Sequence, residues 1–379
     1  MTKVITPSFQ INTSQYSNAV NKNQKKAMSL EKQDNVELSV KPEISKKKKA
    51  LITFGVAVGT ATVITGLVTL IRKGKAKNEG RLPAMVKGAV KKVQSDAQNI
   101  QNSAKGIQKT AQELQNSAQE LQEKANGVQT SARNIIDETL KSLKDVEPSE
   151  DGTKVIKKLS DDGKTLMSRS TQRGEFLTID NFIEKTCIEA RNGELTAFSS
   201  GVEYSGSYIK RQQERFYFVD GILSEFHRGI EHPDMKQVKV QESFIFKDRA
   251  LEKVQKGYRY FADGSENMQE CFVFQNEKIN EFSKGYEHCS KNGLDKTQEV
   301  FRFKEDGMLS EFNKGQLCNT DGAGKTEEIY LFNKGKLDGV AKGCETSSDG
   351  SMKAVESFSF ENGKLMNWIK HEPDNKVKA

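Results

Sequence analysis

"ECFVFQNEKINEFSKG", residues 270–285, alternates apolar and polar side chains on either side of a short polar turn, the pattern of a half-buried β-hairpin. The pattern recurs as "ERFYFVDGILSEFHRG" at 214–229, "EVFRFKEDGMLSEFNKG" at 299–315 and "EIYLFNKGKLDGVAKG" at 328–343. Six copies share Glu-x-[Phe/Tyr]-x-Phe, a turn, an aliphatic residue, then an apolar residue two before a basic one. Their glutamates are Glu214, Glu242, Glu270, Glu299, Glu328 and Glu356, spaced by 28 or 29 residues. The basic positions are Arg228, Lys256, Lys284, Lys314, Lys342 and Lys370. Such spacing marks stacked units that cannot bury an apolar face alone.

Alternation on a strand puts Glu214, Phe216 and Phe218 on one face. One register of the turn sets Phe216 opposite Phe226 and Glu214 opposite Arg228. It also pairs Phe244 with Val254, Phe272 with Phe282, Phe301 with Phe312, Tyr330 with Val340, Phe358 with Trp368, and every Glu with its Lys or Arg. Aromatic and opposite-charge cross-strand pairs each contribute roughly 0.2–1 kcal/mol, so this register is the expected one. Leu223, Leu251, Ile279, Leu309, Leu337 and Leu365 are expected on the opposite face, near the turns. Degenerate copies at 192–201 and 159–168 precede the six, and the expectation is one twisted antiparallel sheet of about 12–14 strands.

The "GKLDG" of residues 335–339 resembles the MORN repeat and related bacterial hairpin repeats, over roughly residues 186–371. MORN units are shorter, and their Tyr-Gly-Trp signature is missing here. The resemblance implies an elongated β-array that docks partners or lipid headgroups, and implies nothing about catalysis.

Upstream, "ALITFGVAVGTATVITGLVTLI" at 50–71 carries no charge and follows the run Lys46–Lys49. Its length of about 33 Å as a helix matches a bilayer core, so a single transmembrane helix is expected, with either orientation open. Gly55 and Gly59 form a GxxxG within it. From Val86 to Ile135 the period is seven: Ala97, Ala104, Ala111, Ala118, Ala125 and Ala132 in one register, Ile100, Ile107, Leu114, Leu121, Val128 and Ile135 in another. This reads as a coiled-coil seam with self-association, or as a lone helix lying on the membrane or on the chain's own β-domain.

The expected class is therefore segmented α + β: a disordered tail at 1–45, a basic flank and transmembrane helix at 46–72, a heptad-repeat helix at 83–145, and an antiparallel β-hairpin repeat domain at 153–372. Residues 1–92 hold 18 Lys/Arg against 5 Asp/Glu, whereas 93–379 hold 41 against 47. The basic excess thus flanks the apolar run, and the net-acidic repeat region argues against a nucleic-acid partner.

Five cysteines without metal spacing give neither a zinc site nor a disulfide framework. Of His227, His232, His288 and His371, His232 and His288 share a repeat position at which the other copies lack His, and the Glu–basic pairs obey the repeat where a catalytic pair would break it. No catalytic residue, cofactor or metal site is assigned. The expected function is a membrane-anchored, single-pass interaction scaffold with an unknown protein partner on the β-domain. The alternative is a membrane-tethered module binding lipid headgroups or glycans on its aromatic rung.

Overall fold

The computed structural model describes residues 84–144, 155–171, 175–206, 208–234, 236–319 and 321–371. A single helix among them, α1 (Ala84–Ser142), precedes an 18-stranded sheet. Its first strands are β1 (Val155–Leu159), β2 (Thr165–Ser170), β3 (Phe176–Asn181), β4 (Thr186–Arg191), β5 (Glu194–Ser200) and β6 (Glu203–Ser205). The six strong repeats supply β7 (Tyr208–Val219), β8 (Ile222–Asp234), β9 (Gln237–Lys247), β10 (Ala250–Phe261), β11 (Glu266–Gln275) and β12 (Lys278–Cys289), followed by β13 (Leu294–Phe303), β14 (Leu309–Cys318), β15 (Gly324–Asn333), β16 (Lys336–Thr346), β17 (Met352–Glu361) and β18 (Lys364–Lys370). Each strand pairs antiparallel with the next, except that β5 and the short β6 both pair with β7. The count exceeds the expected 12–14 because the stretch 155–205, which lacks the full motif, also forms strands.

All six hairpins adopt the expected register. Glu270 stands opposite Lys284 and Phe272 opposite Phe282, and the other five copies repeat this. Phe272 and Phe282 have ring centroids 4.8 Å apart, as do Phe216 and Phe226. The aliphatic positions differ from expectation. A bulge in each hairpin inserts one residue, so Phe218 faces Leu223 and Phe274 faces Ile279. That extra residue reverses the parity of the alternation. Leu223, Leu251, Ile279, Leu309 and Leu337 therefore join the aromatic cluster rather than the opposite face.

α1 covers this cluster, and here the heptads acquire their partner. Ala97, Ala104, Ala111, Ala118 and Ala125, with Ile100, Leu114 and Leu121, are buried against the aromatic rung. One heptad rises about 10.5 Å along a helix, while one hairpin advances about 9.4–9.8 Å across a sheet. The two periods nearly coincide, so each hairpin meets an equivalent helical surface. A row of glutamines records the match. Gln94, Gln101 and Gln129 donate to the turn carbonyls of Gly363, Gly335 and Gly221 at 3.0, 2.8 and 2.8 Å. Gln108, Gln115 and Gln122 do the same to Gly307, Glu277 and Arg249. The helix therefore runs antiparallel to the order of the hairpins.

Two expectations are corrected. The heptad segment is no coiled coil: its apolar seam is spent on the sheet of its own chain, and the opposite face of α1, with Gln98, Asn102, Lys105, Gln112 and Gln119, is exposed and polar. The single-pass membrane placement is not supported either: no helix among the described residues is long and apolar enough to cross a membrane. The expected tail (1–45) and transmembrane segment (46–72) lie outside the described residues.

A line of glycines creases the sheet. Gly201, Gly229, Gly257, Gly285, Gly315 and Gly343 have φ between 59° and 66°, where an L side chain is strained. The opposing side chains, Gln213, Gln241, Gln269, Gln298, Glu327 and Val355, occupy the space a Cβ would need. Past this line the strands fold back. Cys344, Met352 and Ala354 of the distal halves pack with Ile329, Leu331 and Ala341 on the face away from α1.

Candidate functional site

On the face under α1, three of the six Glu–basic rungs are ion-paired within their own hairpin. Arg228 lies 4.0 Å from Glu214 and 3.3 Å from Glu242, Lys256 lies 3.9 Å from Glu242, and Lys342 lies 3.5 Å from Glu328. Trp368 Nε1 donates to Glu356 Oε1 at 2.9 Å. Lys124 of the helix closes the rung at Glu214, above the Phe216 ring. A cavity of about 280 Å³ between Lys124, Glu214, Arg228 and Glu242 is lined by groups already paired with one another. The aromatic rung is dry: Phe216, Phe226 and Phe272 are at most 2% exposed, which removes the stacking surface expected for a glycan or headgroup.

On the other face no helix lies among the described residues, yet Ser243, Cys271, Val300, Asn313, Ile329 and Ala341 are buried there, the last two against the distal halves of β16 and β17. The residues of this face on β10–β14 depart from the repeat. Arg302 occupies the position held in the other copies by Tyr217, Ile245, Val273, Leu331 and Ser359. Its guanidinium is shared between strands: Nε donates to Glu281 Oε2 at 3.0 Å and Nη1 to Glu311 Oε1. Asn313 Nδ2 donates to the same Glu311 oxygen at 2.8 Å. Glu311 is 1% exposed and Asn313 3%, yet Glu311 Oε2 and Asn313 Oδ1 have no partner. Burying a carboxylate oxygen without a donor is costly, so this is the least satisfied position on the face.

The distal halves of the same strands bring a second polar row. Tyr258 donates to Glu266 at 2.8 Å, Tyr286 donates to Asp295 at 3.2 Å, and His288 Nδ1 lies 2.7 Å from the same Asp295 oxygen. Burial, reinforced by these carboxylates, pushes both phenols up and keeps them protonated donors. Cys271 sits in the fields of Lys253, Glu281 and Glu266, and burial pushes its thiol up to about 11. Cys318 feels both Asp295 and Arg302, with burial again the main cause of its raised pKa. The two rows thus border one continuous polar strip along the crease.

A separate cluster lies at the other end of the sheet. Tyr204 donates to Asp180 at 2.5 Å, and Arg215 pairs with Glu189 at 2.8 Å while lying 4.7 Å over the Tyr217 ring. Burial raises the Asp180 carboxyl and, more strongly, the neighbouring Cys187 thiol. Donors and acceptors are largely matched within this cluster, which makes it a cross-strand brace.

The histidines do not converge. His227 packs edge-on to Tyr217 and meets Glu225 at 3.1 Å, burial lowers the His232 pKa, and no group of three metal-ligating side chains exists among the described residues. His288, Asp295 and Cys318 are consecutive cross-strand partners, which superficially resembles a thiol-based triad. The acid, however, stands between the other two, leaving thiol and imidazole about 9–10 Å apart. A nucleophile must touch its base, so the row is not one. All five cysteines are free. Arg302 and Asn313 carried no sequence signal on their own; their departure from the aligned repeat columns was the one that could have found them.

Neither the family models nor the curated proteins contain a match to this chain. Among solved structures, the chain is similar at 14% identity to the TCP10 domain of Danio rerio CPAP in complex with a peptide of Danio rerio STIL. That match covers 50% of this chain and 99% of that one, with a TM-score of 0.12.

Proposed function

We propose that this protein is an interaction scaffold: a rigid hairpin array, braced along one face by its own helix, that offers the other face to a protein partner. The single observation carrying this reading is the asymmetry of the sheet. One face is closed by α1 through six successive hairpins, whereas the other carries no helix among the described residues and holds the positions that escape the repeat. The resemblance of the repeats to MORN-type arrays supports a docking role, and the pairing of the ionisable rung with itself argues against catalysis.

The test uses the full chain with a photo-crosslinking residue placed singly at half-buried Val273 or Ser283 on the face away from α1, or at Gln112 on the outer face of α1. One discrete polypeptide adduct from the first two sites and none from the third is the expected result. Equal labelling from all three, or none from any, ends the reading.

A further inference from the structure

The sheet ends on an unfinished join. Between successive strong hairpins, the basic residue and the apolar residue two before it meet the next copy's Glu and aromatic ring. Arg228 and Phe226 stand opposite Glu242 and Phe244, Lys284 and Phe282 opposite Glu299 and Phe301, and Lys342 and Val340 opposite Glu356 and Phe358. The joins at Lys256 and Lys314 repeat this. β18 carries the same columns in Trp368 and Lys370, yet among the described residues it pairs with β17 alone. Phe226, Val254, Phe282, Phe312 and Val340 are buried, whereas Trp368 is half-buried. Lys370 is exposed, and Glu356 opposite it is held by Trp368 Nε1 at 2.9 Å.

The backbone is aimed the same way. Peptide groups on an antiparallel strand alternate sides, and the His371 N–H donates to the Val355 carbonyl at 2.8 Å. Ile369 therefore turns its groups towards β17, and Trp368 and Lys370 turn theirs to the outer side. A lysine on an edge is also an ordinary guard against pairing. Lys370, however, stands in a column that is basic in all six copies and meets a glutamate of the next copy in five, so its charge repels one kind of strand and fits another. β1, the outer strand at the other end, offers Lys157 and Lys158 and neither a glutamate nor an aromatic ring, so end-to-end stacking of two copies fills neither column. Nor does 1–83, 145–154 or 372–379 contain a Glu with an aromatic residue two later.

We infer that the outer edge of β18 is a docking site for an extended segment of a partner protein carrying Glu-x-Phe or Glu-x-Tyr. The segment adds as an antiparallel strand, its Glu opposite Lys370 and its ring opposite Trp368. Main-chain hydrogen bonds to Trp368 and Lys370 supply the attachment, and the two columns select the sequence. The site is separate from the face proposed above and does not depend on it.

The full chain is titrated by calorimetry with acetyl-Ala-Val-Glu-Ser-Phe-Ser-Phe-Glu-Asn-amide, a copy of 354–362, and amide exchange locates the bound peptide. In the free chain the amides of Trp368 and Lys370 should exchange at least tenfold faster than that of Ile369, and should slow when peptide is added. N-methylation of the peptide's first Glu or first Phe, whose N–H groups face β18, should weaken binding at least tenfold. N-methylation of the Ser between them should change it less than twofold. Lys370→Glu should weaken binding two- to fivefold, and a peptide with Lys in place of its first Glu should recover the loss. Equal losses from N-methylation at all three positions would mean that no strand is added, and a scrambled peptide binding as tightly would mean that the columns select nothing; either overturns the inference. Protection that falls on β1 instead of β18 overturns it as well, as does an absence of binding. Protection of Trp368 and Lys370 already present in the free chain would show that the chain itself, or a second copy, holds the edge, and the partner assignment is lost.

Discussion

Inserting a single alanine between Gln112 and Glu113, both exposed on α1, tests whether the heptads are there to match the hairpins. One residue rotates everything beyond it by about 100° and advances it by about 1.5 Å. Leu114, Ala118, Leu121 and Ala125 would leave the aromatic rung, or the preceding half of the helix would have to leave instead. Leu114 and Leu121 are each 6% exposed. Returning them to water costs about 1.5–3 kcal/mol apiece, so the insertion should destabilise by about 3–6 kcal/mol before the alanines are counted. Inserting seven residues, by duplicating 106–112, has a different outcome. Seven residues fall about 20° short of two full turns and advance the helix by about the width of one hairpin, so the shifted half re-enters register. The loss is then confined to one heptad at an end, below about 2 kcal/mol. Urea unfolding followed by far-ultraviolet circular dichroism measures both, and amide exchange along α1 shows which half has detached. Equal destabilisation by one and by seven residues would mean that the coincidence of periods plays no part in the fold.

Phe272→Ala should cost about 3–5 kcal/mol in the same unfolding assay, since the ring is buried between Phe282 and the helix. Lys284→Glu, an exposed position, should cost no more than about 1 kcal/mol, and adding Glu270→Lys should recover most of it; coupling of Glu270 to Ser283 instead would contradict the register. Gly106→Ala should stabilise by about 1 kcal/mol, because a methyl group there meets open space and glycine weakens a helix interior; a loss would reveal an unrecognised contact. Alkylation at pH 8 read by mass spectrometry should modify half-buried Cys289 first and leave Cys271 and Cys344 intact until unfolding, their thiols being pushed by burial up to about 11 and about 12. Only the thiolate reacts, so raising the pH from 8 to 9 should bring little labelling of the buried pair; early reaction at Cys344 would refute its burial.

The repeat by itself determined the hairpins and their register, because alternation with period two and the charge and aromatic pairings admit one arrangement in which every copy is satisfied. It also determined a long helix with a narrow apolar seam. What that seam meets was not legible. A seven-residue period fits a partner helix and a two-strand step almost equally well, since about 10.5 Å and about 9.4–9.8 Å differ by less than side chains can absorb. The choice was made by the aromatic rung of the same chain, buried along with Ala97 through Ala125, and by the glutamines that reach the turns of the six strong repeats. Leu223 and its equivalents were misplaced for a similar reason: a bulge adds one residue to the count, and no residue type announces it. The cluster at Arg302 lay further from view still. Glu281, Arg302, Glu311 and Asn313 come from three strands, and only their assembly on one face leaves two buried oxygens without donors.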